Sequence, residues 1–108
     1  MSISDGRPDA EAVFHFNGVK QSPVTSGYRP AHRVTEAYPT TGEHHYFDQS
    51  VVYPNETVQG TITFLSPEAY PRCLWTGKRM DIQEGGRVIG YAVVTRVLNP
   101  LLEREEAL

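Results

Sequence analysis

Polar and apolar side chains alternate most regularly over Thr57–Leu65 (TVQGTITFL), where Val58, Gly60, Ile62 and Phe64 share one face and Thr57, Gln59, Thr61 and Thr63 the other. A period of two predicts a strand with one buried and one wet face. Ala12–Asn17 alternates in the same way, with Phe14 and Phe16 forming an aromatic face opposite Val13, His15 and Asn17. Arg79–Gln83 places Met80 and Ile82 inward. Arg87–Leu98 (RVIGYAVVTRVL) is apolar on both faces and is interrupted by Gly90. This pattern predicts a strand that is buried or bent, with the glycine at the bend. Shorter extended segments are expected at Tyr28–Val34, His44–Phe47 and Val51–Tyr53.

Turn chemistry separates these segments. Gly18–Gly27 carries Ser22-Pro23 and Ser26-Gly27, Pro39–Gly42 breaks the chain, and Pro54-Asn55 opens a turn. Glu84-Gly85-Gly86-Arg87 reads as a tight hairpin, the glycine pair supplying positive φ. Ser66–Lys78 reads as a long structured loop tied down by Leu74 and Trp75. Asn99-Pro100 has the N-cap and first-position pairing of a helix start, so residues 99–108 are expected as a short helix or a tail. Residues 1–11 carry no period and are expected as a flexible lead, which leaves 12–98 as the domain. About six strands with no central helix imply an all-β sandwich or barrel, and closure, which removes exposed edges, favours the barrel.

Composition narrows the class further. At 108 residues the chain supports one modest core. Net charge is -3, yet Ala12–Leu98 holds eight Lys/Arg against seven Asp/Glu, so the excess acid lies at the ends. A near-neutral body argues against non-specific nucleic-acid binding, which needs a dense basic face, but leaves room for RNA held by a few placed contacts. The single cysteine, Cys73, permits neither an intrachain disulfide nor a cysteine-based zinc site. A reducing cytoplasm fits, and Met1–Glu11 lacks the apolar core of a signal peptide. The most apolar run, Val88–Val94, falls far short of the roughly 20 residues that a helix needs to span a bilayer. No membrane role is expected.

Candidate chemistry is sparse. His44 and His45 are adjacent in a strand and face opposite sides, so they cannot join one ion with His15 and His32, and no metal site is expected. Cys73 has no local histidine signature, and Asp81 and Glu84 form no legible acid–base pair. No enzyme and no cofactor is expected. Lys20, Arg29, His32 and Arg33 are close in sequence and form a candidate phosphate-binding patch, with Tyr28 as a stacking platform; Arg29 equally suits bracing the barrel. Tyr70, Leu74 and Trp75 are a candidate protein-contact cluster or a loop anchor.

Three stretches, in order, resemble the C-terminal domain (domain III) of bacterial elongation factor Tu: Gly27-Tyr28-Arg29-Pro30, Pro54-Asn55-Glu56-Thr57-Val58, and Ile82–Gly90 (IQEGGRVIG), close to that family's IREGGRTVG hairpin. The resemblance covers roughly Val13 to Leu98. It implies an all-β, six-stranded closed antiparallel barrel without chemistry of its own, of the kind that helps hold the T-stem of aminoacyl-tRNA, in agreement with the strand count above. No phosphate loop of the form G-x-x-x-x-G-K-[ST] is present, so neither a GTPase nor a bound nucleotide is expected. Carried over onto this chain, the resemblance implies RNA-binding roles for Lys20, Thr41 and Gly85. The family's glutamine after GYRP is Ala31 here, and its basic residue before proline is Ser66. Lys20, Thr41 and Gly85, together with Arg29, Arg33 and Arg87, make up the candidate RNA-binding set. The expected partners are tRNA or a protein of the translation machinery. A protein-interaction module that imitates the domain or self-associates is the alternative.

Overall fold

A computed structural model describes residues 7–37 and 39–104. Six strands close into an antiparallel barrel in the order β1 (Ala10–Phe16), β6 (Thr57–Phe64), β4 (Thr40–Tyr46), β3 (Ala31–His32), β7 (Arg79–Glu84) and β8 (Arg87–Val97), with β8 returning to pair with β1. Two further short strands, β2 (Val24–Thr25) and β5 (Val51–Val52), pair with each other outside the barrel. A single 3₁₀ turn at Pro67–Ala69 is the helical element among the described residues. No helix there is long and apolar enough to cross a membrane.

The inward face follows the alternation. Ala10, Ala12, Phe14 and Phe16 of β1, Val58, Ile62 and Phe64 of β6, and Met80 and Ile82 of β7 are buried. β8 departs from strict alternation because it carries two irregularities. Ile82 pairs with Gly90 and Gln83 with Val88, so Ile89 is an extra residue, and both Ile89 and Gly90 lie inside. Ala12 pairs with Val94 and Glu11 with Arg96, so Thr95 is a second. Such bulges bend a strand and raise its twist, which is how one long strand serves two neighbours. Gly90 sits where a Cβ would lie 2.2 Å from the His15 carbonyl oxygen, so its role is close approach of β1 as well as the bend.

Three boundaries differ from expectation. Pro39–Gly42, read as a break, contains the start of β4: Thr40 and Gly42 point inward, and a Cβ on Gly42 would come within 2.7 Å of Ile62 Cγ2. The glycine there makes room for the core rather than a turn. The lead ends earlier than residue 11, because Asp9 is buried and β1 begins at Ala10. Asp9 accepts from the Phe64 amide at 2.7 Å and from the Asn99 side chain at 2.8 Å, and its carbonyl accepts from the amides of Leu98 and Asn99. Residues 1–6 of the expected lead lie outside the described residues. After β8 the chain makes a turn at Asn99, whose side chain accepts from the Leu101 amide. No helix continues through the described residues to Arg104. Leu102 is fully buried, and the segment runs beside Leu74 instead, with the Leu74 amide donating to the Leu102 carbonyl at 2.9 Å and the Arg104 amide to the Leu74 carbonyl at 2.8 Å.

Candidate functional site

The barrel distributes the candidate residues over three places. The first is the β7–β8 turn. Gly85 and Gly86 have φ of +59° and +82°, the pair of positive values that a two-residue hairpin needs to match strand twist. Glu84 fixes this turn to the Gly27–Pro30 segment: the Tyr28 hydroxyl donates to one carboxylate oxygen, and Lys20 Nζ lies 3.0 Å from the other. The Tyr28 hydrogen bond, with Lys20 second, holds the Glu84 carboxyl below its usual range, while burial first and Glu84 second push the Tyr28 phenol up. The lock leaves Gly85, Gly86 and Arg87 exposed at the tip.

The second place is a shallow pocket of about 230 Å³ that brings Arg29 and Thr41 together with Glu43, Phe64 and Leu65. Arg29 is exposed and pairs loosely with Glu43 at 3.7 Å. Lys20 and Arg29 therefore each have a carboxylate beside them, and the expected Lys20–Arg33 patch does not exist as a continuous basic face.

Arg33 belongs to a third place, an open groove of about 610 Å³ between the β3–β4 connection and the start of β7. Its amide donates to the Asp81 carbonyl, and its guanidinium to Gln83 Oε1 at 3.3 Å and the Glu36 carbonyl at 3.4 Å. Lys78 closes the floor: its ammonium donates at 2.5 Å to the carbonyls of Val34 and Cys73 and lies 4.5 Å from the Trp75 ring centre. Burial lowers the Lys78 pKa. Arg104 stands 5.2 Å from the same indole, and Arg79 packs its guanidinium 3.6 Å from the Tyr91 ring centre. Tyr91 in turn stacks on His15 at 4.5 Å. Asp81 and Glu36 complete the lining.

Of the expected protein-contact residues, Leu74 offers no surface: it is fully buried and holds the C-terminal segment. Tyr70 packs half-buried against the core, and Trp75 remains partly open, in the groove. The Cys73 thiol is pushed up by burial. Among the described residues no group of three or more His, Cys, Asp or Glu side chains is arranged to hold a metal.

His32 and His44 meet inside the barrel, both fully buried, with their Nε2 atoms 2.7 Å apart. The Thr40 carbonyl can only accept, so His32 Nδ1 carries the proton there, and His32 Nε2 accepts from His44 Nε2–H. His44 Nδ1 then accepts from the Tyr46 hydroxyl at 2.8 Å. Among the described residues every buried side-chain nitrogen and oxygen has a hydrogen-bond partner, with both rings neutral. Burial depresses the His32 pKa to about 4 and holds that of His44 well below its ordinary value, the neighbouring His32 adding to the effect. His44 also stacks on Phe14, with ring centres 4.1 Å apart. The expected split of His44 and His45 to opposite faces is what the structure has: His45 is exposed.

Sequence reasoning missed Lys78, Arg79, Tyr91 and Arg104 as a group. The adjacent Lys78-Arg79 three residues after Trp75 was the available signal; the positions of Arg33, Tyr91 and Arg104 beside them depend on barrel closure. No protein-family model matches the chain.

Proposed function

We propose that this barrel is a non-catalytic binding module, similar to the third domain of elongation factor Tu without the GTPase, that holds translation-related RNA in a bacterial cytoplasm. The observation that carries the reading is the Tyr28–Glu84–Lys20 lock. It clamps the Gly27–Pro30 segment to the Gly85–Gly86 turn, which lie in two of the three stretches that carry the resemblance, and leaves Gly85 and Gly86 exposed beside Arg87. Preorganised amides and an arginine suit phosphate oxygens, which position RNA without reading its sequence. The buried histidine chain is sealed from solvent and fully hydrogen-bonded, so it contributes to the core and not to a reaction.

The test is titration of tRNA at two salt concentrations. Affinity should fall steeply as salt rises, and Arg87→Ala should weaken it at low salt. Absence of binding at low salt ends the RNA reading. A second reading, a protein-interaction module, is favoured by the carboxylates already beside Lys20 and Arg29. In that case Trp75→Ala abolishes capture of a translation-machinery protein while Arg29→Ala leaves it intact.

A further inference from the structure

Arg33, Lys78 and Arg79 line one groove with Trp75, Arg104 stands beside the same indole and Arg79 lies against Tyr91, and among the described residues none of the four is in an ion pair. Their positive charges are backed by aromatic faces and carbonyl oxygens, which orient a cation without neutralising it. Elsewhere on the barrel Lys20 and Arg29 have acidic neighbours, whereas this groove gathers three cations, Arg33, Lys78 and Arg79, against two carboxylates. The groove, at about 610 Å³, has the size of a ligand site, for which roughly 300–1,000 Å³ is usual. Its Arg79 side lies at the far end of β7 from the Gly85–Arg87 turn, Arg79 and Glu84 being the two ends of that strand and so about 17 Å apart, while Arg33 reaches back along the strand to Gln83.

The lining also contains two acceptors, Glu36 and Asp81. A polycarboxylate would be repelled by both and would offer its side chains no donors to them. An RNA strand supplies both kinds of group: phosphates for the guanidinium forks, and 2′-hydroxyls and base amines for the carboxylates. We infer that the groove around Trp75 takes up an unpaired segment of RNA, as a second contact surface separate from the β7–β8 turn. The phosphates face Arg33, Lys78 and Arg79, and Glu36 and Asp81 accept from ribose or base donors. The inference rests on the RNA-binding reading above and extends it to a different face.

Trp75 is the one tryptophan of the sequence, so its emission reports directly on the groove. A short 5′-labelled oligouridylate should be titrated against the intact protein, with label anisotropy and Trp75 emission followed together. Saturable change in both signals is expected. Three phosphate contacts imply a loss of roughly 20-fold in affinity between about 50 and 200 mM salt. Arg33→Gln with Arg79→Gln, checked for an unchanged thermal midpoint, should weaken binding at least about 10-fold at low salt and flatten the salt dependence to roughly one contact's worth. Lys20→Gln with Arg87→Gln, the comparison pair at the turn, should weaken oligouridylate binding less than the groove pair does, and Arg96→Gln, an exposed charge of β8 outside both surfaces, should leave it nearly unchanged. If anisotropy reports binding while Trp75 emission stays constant and only the Lys20/Arg87 variant loses affinity, the groove is not the site, although the RNA reading stands. If neither signal moves at low salt and tRNA also fails to bind, both readings fall. An oligoglutamate peptide that binds the groove as tightly as the RNA, or uridine monophosphate that displaces the strand at equal concentration, would overturn the assignment to an RNA segment.

Discussion

His32 and His44 are neutral because each supplies what the other lacks: one ring nitrogen donates and one accepts at every link from Tyr46 to the Thr40 carbonyl. A proton added to either ring puts a charge in the core. The consequence for stability has a definite sign. The unfolded chain takes up these protons near the ordinary histidine pKa of about 6.5, while folded His32 resists until about 4. The contribution is therefore complete above about pH 6.5 and is lost as pH falls toward 4. For His32 alone the loss comes to about 3 kcal/mol over that window. Urea unfolding at pH 7 and pH 5 should show the decline, and His32→Gln, which can accept and donate but does not titrate, should reduce it. Gly60 poses a steric question at the same scale. A Cβ there would lie 2.2 Å from the His45 carbonyl oxygen and 3.1 Å from the Phe14 ring. Since the nearest atom is backbone and cannot rotate away, Gly60→Ala should destabilise the barrel by about 1–3 kcal/mol, read as a lower urea midpoint with an unchanged slope.

At the level of elements, the long loop and the C-terminal segment hold each other. Leu74 and Leu102 are both fully buried, and backbone hydrogen bonds run between their strands of chain in both directions. Leu102→Ala should cost about 2–5 kcal/mol, as core leucine truncations do, in equilibrium unfolding; a dispensable tail would tolerate it. The sequence read poorly here, for a physical reason. Asn99-Pro100 has the local chemistry of a helix start, but burial of Leu102 outweighs that propensity, and burial is a tertiary fact. The β6, β7 and β8 strands were legible to within a residue because alternation is strong and the glycine pair fixes the hairpin. The β4 start was not, since Gly42 serves Ile62 across the core and carries no local mark of doing so. Asp9 was likewise unreadable: its four partner residues, Ile62, Phe64, Leu98 and Asn99, are remote in sequence.

For the whole molecule, barrel closure decides which parts share a fate. β1 pairs with both β6 and β8, whereas β2 and β5 pair only through Val24–Val52 and Thr25–Val51 outside the ring. Amide exchange should therefore show β1, β6 and β8 protected to the global limit and β2 and β5 opening earlier; equal protection would mean that the small sheet is part of the cooperative unit. Closure also explains how much of the candidate site could be read. Gly85 and Arg87 were legible because a turn is local. The groove was not, because Arg33 and Glu36 meet Trp75, Lys78 and Arg79 only when the β3–β4 connection and β7 are in place, and Arg104 reaches Trp75 only through the C-terminal segment.

The seam between β1 and β8 joins the first and last strands of the barrel. During synthesis β1 emerges early and must wait, with one backbone edge open, until almost ninety residues later its partner leaves the ribosome. Long-range pairing of this kind is slow to form, and the waiting edge is a template for pairing with another chain. Nascent chains stalled before Arg87 should be captured by holding chaperones or should aggregate, and the release of the final strand is the moment at which this protein becomes safe from its neighbours.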